Sequence, residues 1–325
     1  MKQLFIISCC FLLFNACSKK NNQPAVTGPV MPTTPDTLTA GWSKIGDLPN
    51  TVAMTDVFFT DLSNGYATSE LGIYKSSDGG VSWNNINTDP YFINIAAFGT
   101  KATFVNQDSY FYNTQNNGAS ILKTLFPPAP GSSGYDLNDC FYSSANTCYM
   151  CSNKYIFKST NGGIAFDTIF RFVSSLNNTQ TLFFVNDQEG WASKGDTLFK
   201  TMDGGLTWNH SLMKGTYSNT QPIFFPTPNT GYVGSRDTMF KTNNAGNTWQ
   251  ILPKIEPGYQ IQDIDFVNSL VGYCCTRNRI YKTTDGGNSW TKVVGLGGKN
   301  LTEIHFLDEN HGWACGDFGY VLRFN

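Results

Sequence analysis

A ten-residue segment recurs along this chain about every 41 residues, with the pattern aromatic-Lys-Ser/Thr-x-Asp/Asn-Gly-Gly-x-Ser/Thr-Trp or a close variant. The central residues of the five clear copies are 83, 42, 41 and 41 residues apart, and a degenerate copy fills the longer interval. A regular period of this length indicates a repeat architecture in which each copy is one small structural unit. The six central residues are Asp78, Asn116, Asn161, Asp203, Asn244 and Asp285.

A short apolar strand ending in an aromatic residue forms a second repeat, and six residues later most copies carry Gly followed by Tyr or Trp. The seven terminal aromatics are Phe59, Phe98, Tyr142, Phe184, Phe225, Phe266 and Phe306. There are seven such strands and six turns, and residues 41–45 resemble the strand that follows each turn. We therefore predict an all-β, seven-bladed propeller of four-stranded blades, with this N-terminal strand completing the last blade.

The recurring turn has a mechanical interpretation. Two glycines permit positive φ in a tight hairpin, and the Asp or Asn side chain accepts backbone N–H bonds within the loop. The alternative is that these acidic loops bind calcium or supply catalytic carboxylates. A turn that recurs in blade after blade favours the structural role, because a functional site would occur once.

These segments closely resemble the Asp-box, or bacterial neuraminidase repeat. The folded part, residues 41–325, resembles the photosystem II stability/assembly factor-like propellers, most clearly in the segment Gly-Trp-Ala-Cys-Gly-Asp-Phe-Gly-Tyr-Val-Leu-Arg at 312–323. The resemblance implies a scaffold that binds a partner polypeptide through an arginine-rich patch. This chain departs from that pattern because it has five arginines: Arg171, Arg236, Arg277, Arg279 and Arg323.

The N-terminus predicts export. Lys2 and an apolar stretch from Leu4 to Phe14 have the layout of a signal peptide, over residues 1–16, and are too short to span a bilayer. Ala16-Cys17 resembles a lipobox, which predicts lipidation of Cys17; an ordinary signal peptide is the alternative. Residues 17–40 are polar and read as a flexible tether. Ser18, which follows the lipidated cysteine, favours sorting to the outer membrane by analogy. We expect contact with the membrane through the lipid anchor alone.

Composition narrows the classes of function. The net charge of −2 and the absence of a Lys/Arg cluster in residues 41–325 argue against nucleic acid. Three scattered histidines and no paired CxxC spacing argue against a structural zinc site, and we predict neither metal nor cofactor. Cys140 and Cys151 are expected to face each other across the first hairpin of blade three, as a disulfide or as buried free thiols.

The most plausible ligand site lies where the first strands begin, on the face opposite the recurring turns. The predicted residues there are Asp56, Ile95, Asp139, Thr181, Pro222, Asp263 and Glu303. The residues preceding them are all polar: Thr55, Asn94, Asn138, Gln180, Gln221, Gln262 and Thr302. We predict a partner-binding rim formed by Asp56, Asp139, Asp263, Glu303, Arg236, Arg277 and Arg279. A solvated channel lining is the alternative.

The sequence therefore favours a lipid-anchored, non-catalytic scaffold for a protein partner. The late position of the arginines and the absence of an Arg-Ile-Pro segment near the start of the chain argue against a sialidase. A glycoside hydrolase needs two carboxylates at a defined separation, which the acidic channel residues could supply. Glycan binding at the cell surface is the remaining alternative.

Overall fold

The computed structural model describes residues 35–46, 48, 53–107, 110–126, 137–172, 180–213 and 222–325. Their strands form seven antiparallel sheets, which confirms the seven-bladed propeller. The signal peptide, Cys17 and most of the predicted tether lie outside the described residues. Within the described residues, the only helix is a 3-10 turn at Asp317–Gly319. No helix in these ranges has the length and apolar character needed to cross a membrane.

The strands are numbered β1 to β29 in chain order. Blade one contains β3 (Met54–Phe59), β4 (Gly65–Ser69), β5 (Gly72–Ser76) and β6 (Asn84–Asn87). Blade two contains β7 (Phe92–Phe98), β8 (Lys101–Asn106), β9 (Tyr110–Thr114) and β10 (Leu122–Leu125). Blade three contains β11 (Leu137–Tyr142), β12 (Cys148–Ser152), β13 (Tyr155–Ser159) and β14 (Asp167–Arg171). Blade four contains β15 (Gln180–Phe184), β16 (Gly190–Lys194), β17 (Thr197–Thr201) and β18 (Asn209–Leu212).

The remaining three blades follow the same order. Blade five contains β19 (Ile223–Phe224), β20 (Gly231–Ser235), β21 (Thr238–Thr242) and β22 (Gln250–Ile251). Blade six contains β23 (Ile261–Phe266), β24 (Gly272–Thr276), β25 (Arg279–Thr283) and β26 (Thr291–Gly295), with β1 (Thr37–Leu38) added outside β26. Blade seven contains β27 (Leu301–Asp308), β28 (His311–Gly316), β29 (Val321–Phe324) and β2 (Trp42–Ile45).

Aromatic stacking between neighbouring blades explains the second sequence repeat. The terminal aromatic of a first strand stacks on the aromatic of the second strand in the preceding blade, as Phe184 does on Tyr149 with ring centroids 3.7 Å apart. Phe59 stacks on Trp313 in the same way, at 3.8 Å, between the first and last blades. Burial of these large rings, together with their offset contact, stabilises each interface between blades.

The glycine of the Gly-aromatic pair is required by the ring beside it. A Cβ atom on Gly190 would lie 2.3 Å from the Phe184 ring, and one on Gly231 would lie 2.2 Å from the Phe225 ring. Contacts this short are not compatible with any side chain. The Gly-Tyr and Gly-Trp pairs therefore recur because the first residue must leave room for one aromatic ring and the second must stack on the next.

Each recurring turn is held by a small network of side-chain hydrogen bonds. In blade one, the Ser82 amide donates to Oδ1 of Asp78 (2.9 Å) and the Ser82 hydroxyl donates to Oδ2 (2.5 Å). The Ser76 hydroxyl donates to Asp78 (2.8 Å) and accepts the amide of Gly80 (2.7 Å). The same network surrounds Asp203 and Asp285. The carboxylate oxygens are used within the hairpin, as the mechanical interpretation expects.

One turn carries a residue that its backbone disfavours. Ala245 occupies the position of the first turn glycine and has φ of 55°. A left-handed conformation costs an L-residue about 1–2 kcal/mol, and glycine recovers most of this. Replacing Ala245 with Gly is expected to raise the free energy of unfolding by about 1 kcal/mol, measured by urea denaturation. The matched variant Asn117→Gly, at φ of 55° in blade two, should gain less because Asn tolerates this conformation. A destabilised Ala245→Gly protein would contradict this account of the turn.

The ring closes as predicted. Strand β2 pairs antiparallel with β29, with Trp42 opposite Phe324 and Lys44 opposite Leu322. The Trp42 side chain is 6% exposed and packs edge-on against Tyr273 and Phe306, with centroids 6.5 and 5.9 Å away. Since the N-terminal strand completes the sheet that the last residues begin, the two ends of the propeller hold each other.

The structure differs from the predicted tether at its C-terminal end. Residues 36–39, which the sequence assigns to the flexible segment ending at residue 40, lie on blade six. Thr37 pairs with Gly295 and Leu38 with Val294, and the Asp36 carboxylate contacts Lys299. The sequence boundary at residue 40 is therefore wrong by a few residues. Backbone pairing, the Asp36–Lys299 ion pair and the packing of Leu38 against the core order this segment.

The predicted disulfide between Cys140 and Cys151 is also wrong. Cys151 pairs with Asp139 and Cys140 pairs with Met150, because the register shifts by one residue after Leu137. A shift of one residue turns a side chain to the other face of a sheet. Cys140 accordingly packs between blades two and three, and Cys151 between blades three and four. No disulfide joins them.

Candidate functional site: the central channel and its mouth

The first strands of all seven blades surround a cavity of about 320 Å³ on the propeller axis. All seven residues that the sequence placed at the start of these strands line it: Asp56, Ile95, Asp139, Thr181, Pro222, Asp263 and Glu303. The structure therefore brings four carboxyl groups from blades one, three, six and seven into one channel. We call the open end, where the first strands begin, the mouth face, and the opposite end the turn face.

The polar residues that precede them divide into two groups. Asn94, Asn138, Gln262 and Thr302 line the cavity. Thr55 instead donates a hydrogen bond to the Thr68 hydroxyl (3.0 Å) within its own blade. Gln221 and the side chain of Gln180 lie outside the described part of the structure.

A layer of aromatic rings lines the channel towards the turn face, two residues further along the first strands of five blades. The Phe141 and Phe183 centroids are 5.0 Å apart, and Phe224 lies 5.2 Å from Phe183. On the other side, His305 stacks on Phe58 at 4.3 Å. The channel is thus polar and acidic near the mouth and mainly aromatic below, where blade six contributes Asp265. The sequence reasoning missed this layer, although the period of two along a strand places it on the same wall.

The carboxylates fasten the first strands of neighbouring blades to one another. The Ile95 amide donates to Oδ2 of Asp56 (2.6 Å), and the Leu182 amide donates to Oδ2 of Asp139 (2.7 Å). Between blades six and seven, the Phe306 amide donates to Asp265 (2.7 Å), a residue that the sequence reasoning also missed. Asp56 and Asp139, predicted as part of a ligand site, therefore have a structural role, since each bond satisfies a backbone donor on the next blade.

Burial strongly perturbs these acids. Removal from water raises the pKa of Asp139 to about 7 and that of Asp56 to about 8. It also raises the pKa of Asp263 and of Glu303, and the Asp263 carboxyl adds to the shift at Glu303. No Lys or Arg among the described residues lines the cavity, and burial lowers the pKa of His305 to about 4. Several channel carboxyls therefore keep their protons at neutral pH.

The predicted arginines separate into two groups. Arg236 and Arg277 are exposed on the loops between second and third strands, and their carbonyls accept the amides of Ile261 (2.6 Å) and Leu301 (2.5 Å) at the start of the next blade. Neither forms an ion pair within the described ranges. Arg279 does not join them, because its guanidinium is paired with Glu256 (2.9 Å) and stacks on the ring of Tyr259.

Three exposed residues on the mouth face have a backbone conformation that side chains normally avoid. Tyr91, Arg236 and Phe318 have φ of 65°, 46° and 60°. Tyr91 and Phe318 are 51% and 56% exposed, so burial does not compensate for the strain. The other two described non-glycine residues with positive φ, Asn117 and Ala245, stand at turn-glycine positions, and Arg236 stands where blade four has Gly195. Because the three strained residues of the mouth face are exposed, they are candidates for a functional surface.

The fold and its channel define the chain as a seven-bladed β-propeller, similar to several solved structures. YCF48 from Cyanidioschyzon merolae superposes with a TM-score of 0.71 at 19% sequence identity, over 88% of this chain and 99% of that one. A structure titled YCF48 bound to D1 peptide gives a TM-score of 0.70 at 18% identity, over 89% and 98%. At these identities the likeness shows the fold alone.

Enzymes share the same fold. The GH74 xyloglucanase from Xanthomonas campestris has a TM-score of 0.67 at 12% identity, and the match covers 86% of this chain but 52% of the enzyme. No model of a known protein family matches the chain, and no curated protein matches its sequence. The comparisons therefore include both a peptide-bound propeller and catalytic ones.

Proposed function

We propose that this protein is a lipid-anchored, non-catalytic scaffold that binds a protein partner on its mouth face. The observation that carries the proposal is the set of three exposed, left-handed residues Tyr91, Arg236 and Phe318. Aromatic residues and arginine are enriched in protein interfaces and in the residues that contribute most to binding energy. Arg277 and Lys154 add exposed positive charge to the same face.

The similarity to a propeller solved with a peptide supports this proposal. YCF48 is matched over almost its whole length, so the two chains share the fold of one whole propeller. The partner is expected to differ from that of YCF48, because the mouth face carries two unpaired arginines where the family resemblance implies an arginine-rich patch. Anchoring through Cys17 in the outer membrane is part of the proposal.

One feature favours a scaffold over a hydrolase. The channel carboxyls Asp56 and Asp139 already bind the amides of neighbouring blades, which restricts their movement towards a substrate. The glycoside-hydrolase alternative predicts release of sugar from a polysaccharide panel and its loss in the variant Glu303→Gln. Binding without hydrolysis would indicate glycan recognition instead.

The proposal is tested by photo-crosslinking in living cells. A photoreactive phenylalanine analogue in place of Phe318 is expected to give a discrete crosslinked protein band, identified by mass spectrometry. The matched control replaces Leu206, which is 68% exposed on the turn face of blade four. Crosslinks at Phe318 that are absent at Leu206 support a protein partner on the mouth face. Equal crosslinking at both positions, or none at Phe318, would refute it.

A further inference from the structure

Residues 36–39 form a short strap that fixes where the N-terminal segment leaves the propeller. The Asp36 carboxylate accepts hydrogen bonds from the Gly297 amide (2.8 Å), the Tyr320 hydroxyl (2.7 Å) and the Lys299 ammonium (2.9 Å). Strand β1 follows, and the Thr39 amide and hydroxyl both donate to the Val293 carbonyl (3.0 and 2.9 Å). Four residues are therefore held by bonds to blades six and seven.

The contacts of Asp36 place the start of the strap on the mouth face. Gly297 and Lys299 belong to the connection that leads into the first strand of blade seven, and Tyr320 ends the loop between its second and third strands. Both segments lie at the mouth. Without the strap, the chain would leave the fold at Trp42, which pairs with Phe324 at the turn end of blade seven. The strap thus moves the exit from one face to the other.

The charges around Asp36 show that the strap binds at one particular place on the propeller. Asp36 is the only acidic residue between positions 18 and 40, and Lys299 pairs with it at 2.9 Å beside the Tyr320 ring. Hydrogen bonds from three groups lower the pKa of the Asp36 carboxyl against the opposing effect of its burial. The ion pair therefore persists at neutral pH, and β1 adds backbone bonds to the open edge of blade six.

We infer that the strap turns the mouth face towards the anchoring membrane, and that the partner is a polypeptide held at that same membrane. The inference rests on the proposed lipid anchor at Cys17. Residues 18–35, which number 18, separate that cysteine from Asp36. A chain of this length reaches at most about 60 Å. Because it starts at the mouth face, it keeps Tyr91, Arg236 and Phe318 nearer to the membrane than the turn face is.

Energy transfer from the protein to labelled lipid measures this orientation. The full-length lipidated protein is reconstituted in vesicles that contain an acceptor-labelled lipid. A fluorescent amino acid replaces either Arg277, on the mouth face of blade six, or Asn288, in the turn of the same blade. Both positions are exposed. Transfer at Arg277 is expected to exceed transfer at Asn288 at least twofold. Equal transfer, or greater transfer at Asn288, would overturn the inference.

A strap variant provides the matched control. Asp36→Arg combined with Thr39→Pro removes the ion pair and the backbone donor to the Val293 carbonyl, while Trp42 still closes the ring. In this variant the N-terminal segment leaves the propeller at the turn face. The ratio of transfer at Arg277 to transfer at Asn288 should then fall below one. An unchanged ratio would contradict the role of the strap. A protein that does not bind vesicles would refute the anchor, whereas a bound protein with equal transfer refutes only the orientation.

The partner is tested separately. Protease treatment of the tether first separates the propeller from its lipid. The partner crosslinked at Phe318 is then expected to sediment with membranes. A crosslinked partner that remains soluble would contradict a membrane-held polypeptide, although it would leave protein binding at the mouth face intact. The two outcomes therefore distinguish the inference from the proposed function.

Discussion

Replacing Asp139 with Asn is expected to raise the free energy of unfolding at pH 8 by about 4 kcal/mol and to change it little at pH 4. The folded pKa of Asp139 is about 7, against an ordinary value of 3.8. As pH rises above 4, the unfolded carboxyl ionises while the folded one keeps its proton, so the wild-type protein loses stability up to about pH 7. A difference of about three units between the folded and unfolded pKa corresponds to about 4 kcal/mol in the free energy of unfolding.

The amide of Asn removes this titration and keeps the geometry. Its side-chain oxygen still accepts the Leu182 amide, which lies 2.7 Å from Oδ2 of Asp139. Urea denaturation at pH 4, 6 and 8 gives the comparison. Asp196→Asn, at an exposed position in the loop between the second and third strands of blade four, is the matched control for the substitution itself. A stability difference between Asp139→Asn and the wild type that does not grow between pH 4 and 8 would contradict the buried, protonated state.

Replacing Trp42 with Ala is expected to destabilise the propeller by about 4 kcal/mol. The side chain is 6% exposed and packs against Tyr273, Phe306 and Phe324 between blades six and seven. Its removal costs the transfer energy of a large aromatic group and leaves a cavity at the point where the two chain ends meet. The loss should appear as a lower midpoint in urea, with cooperative unfolding retained.

The neighbouring residue provides the control. Ser43→Ala changes an exposed position of the same strand and should shift stability by less than about 0.5 kcal/mol. If Trp42→Ala also shifted stability by less than that amount, the N-terminal strand would not be the element that holds the ring closed.

The sequence predicted the blades and the closure because both follow from a repeated pattern. The aromatic and glycine positions recur, so seven strands and six turns could be counted, and Trp42 matched the aromatic that follows a turn. The strap could not be recognised in this way. Its strand is two residues long, has no alternation of polar and apolar residues, and the strap depends on a bond from Lys299 to Asp36, more than 250 residues away.

The candidate site was predicted in part. Counting back along each first strand correctly placed Asp56, Asp139, Asp263 and Glu303 in one channel, because successive blades are equivalent. The disulfide prediction failed because a single-residue shift of register after Leu137 cannot be read from spacing.

Arg236 illustrates a signal that the sequence contained and the reasoning overlooked. Blades four and five have the same two-residue loop, Gly195-Asp196 and Arg236-Asp237, between strands of equal register. Gly195 has φ of 62° and Arg236 has φ of 46°. Alignment of the blades thus shows an arginine at a glycine position. A side chain kept there despite its conformational cost is a candidate for function.

Arg236→Gly tests partner binding at the mouth face, with stability and binding measured on the same protein. We expect stability to rise by about 1 kcal/mol, because glycine relieves the left-handed strain, while affinity for the partner crosslinked at Phe318 falls at least tenfold. Ala245→Gly should give the same gain in stability and leave affinity unchanged. Undiminished affinity in Arg236→Gly would show that the mouth face does not bind the partner through its strained residues.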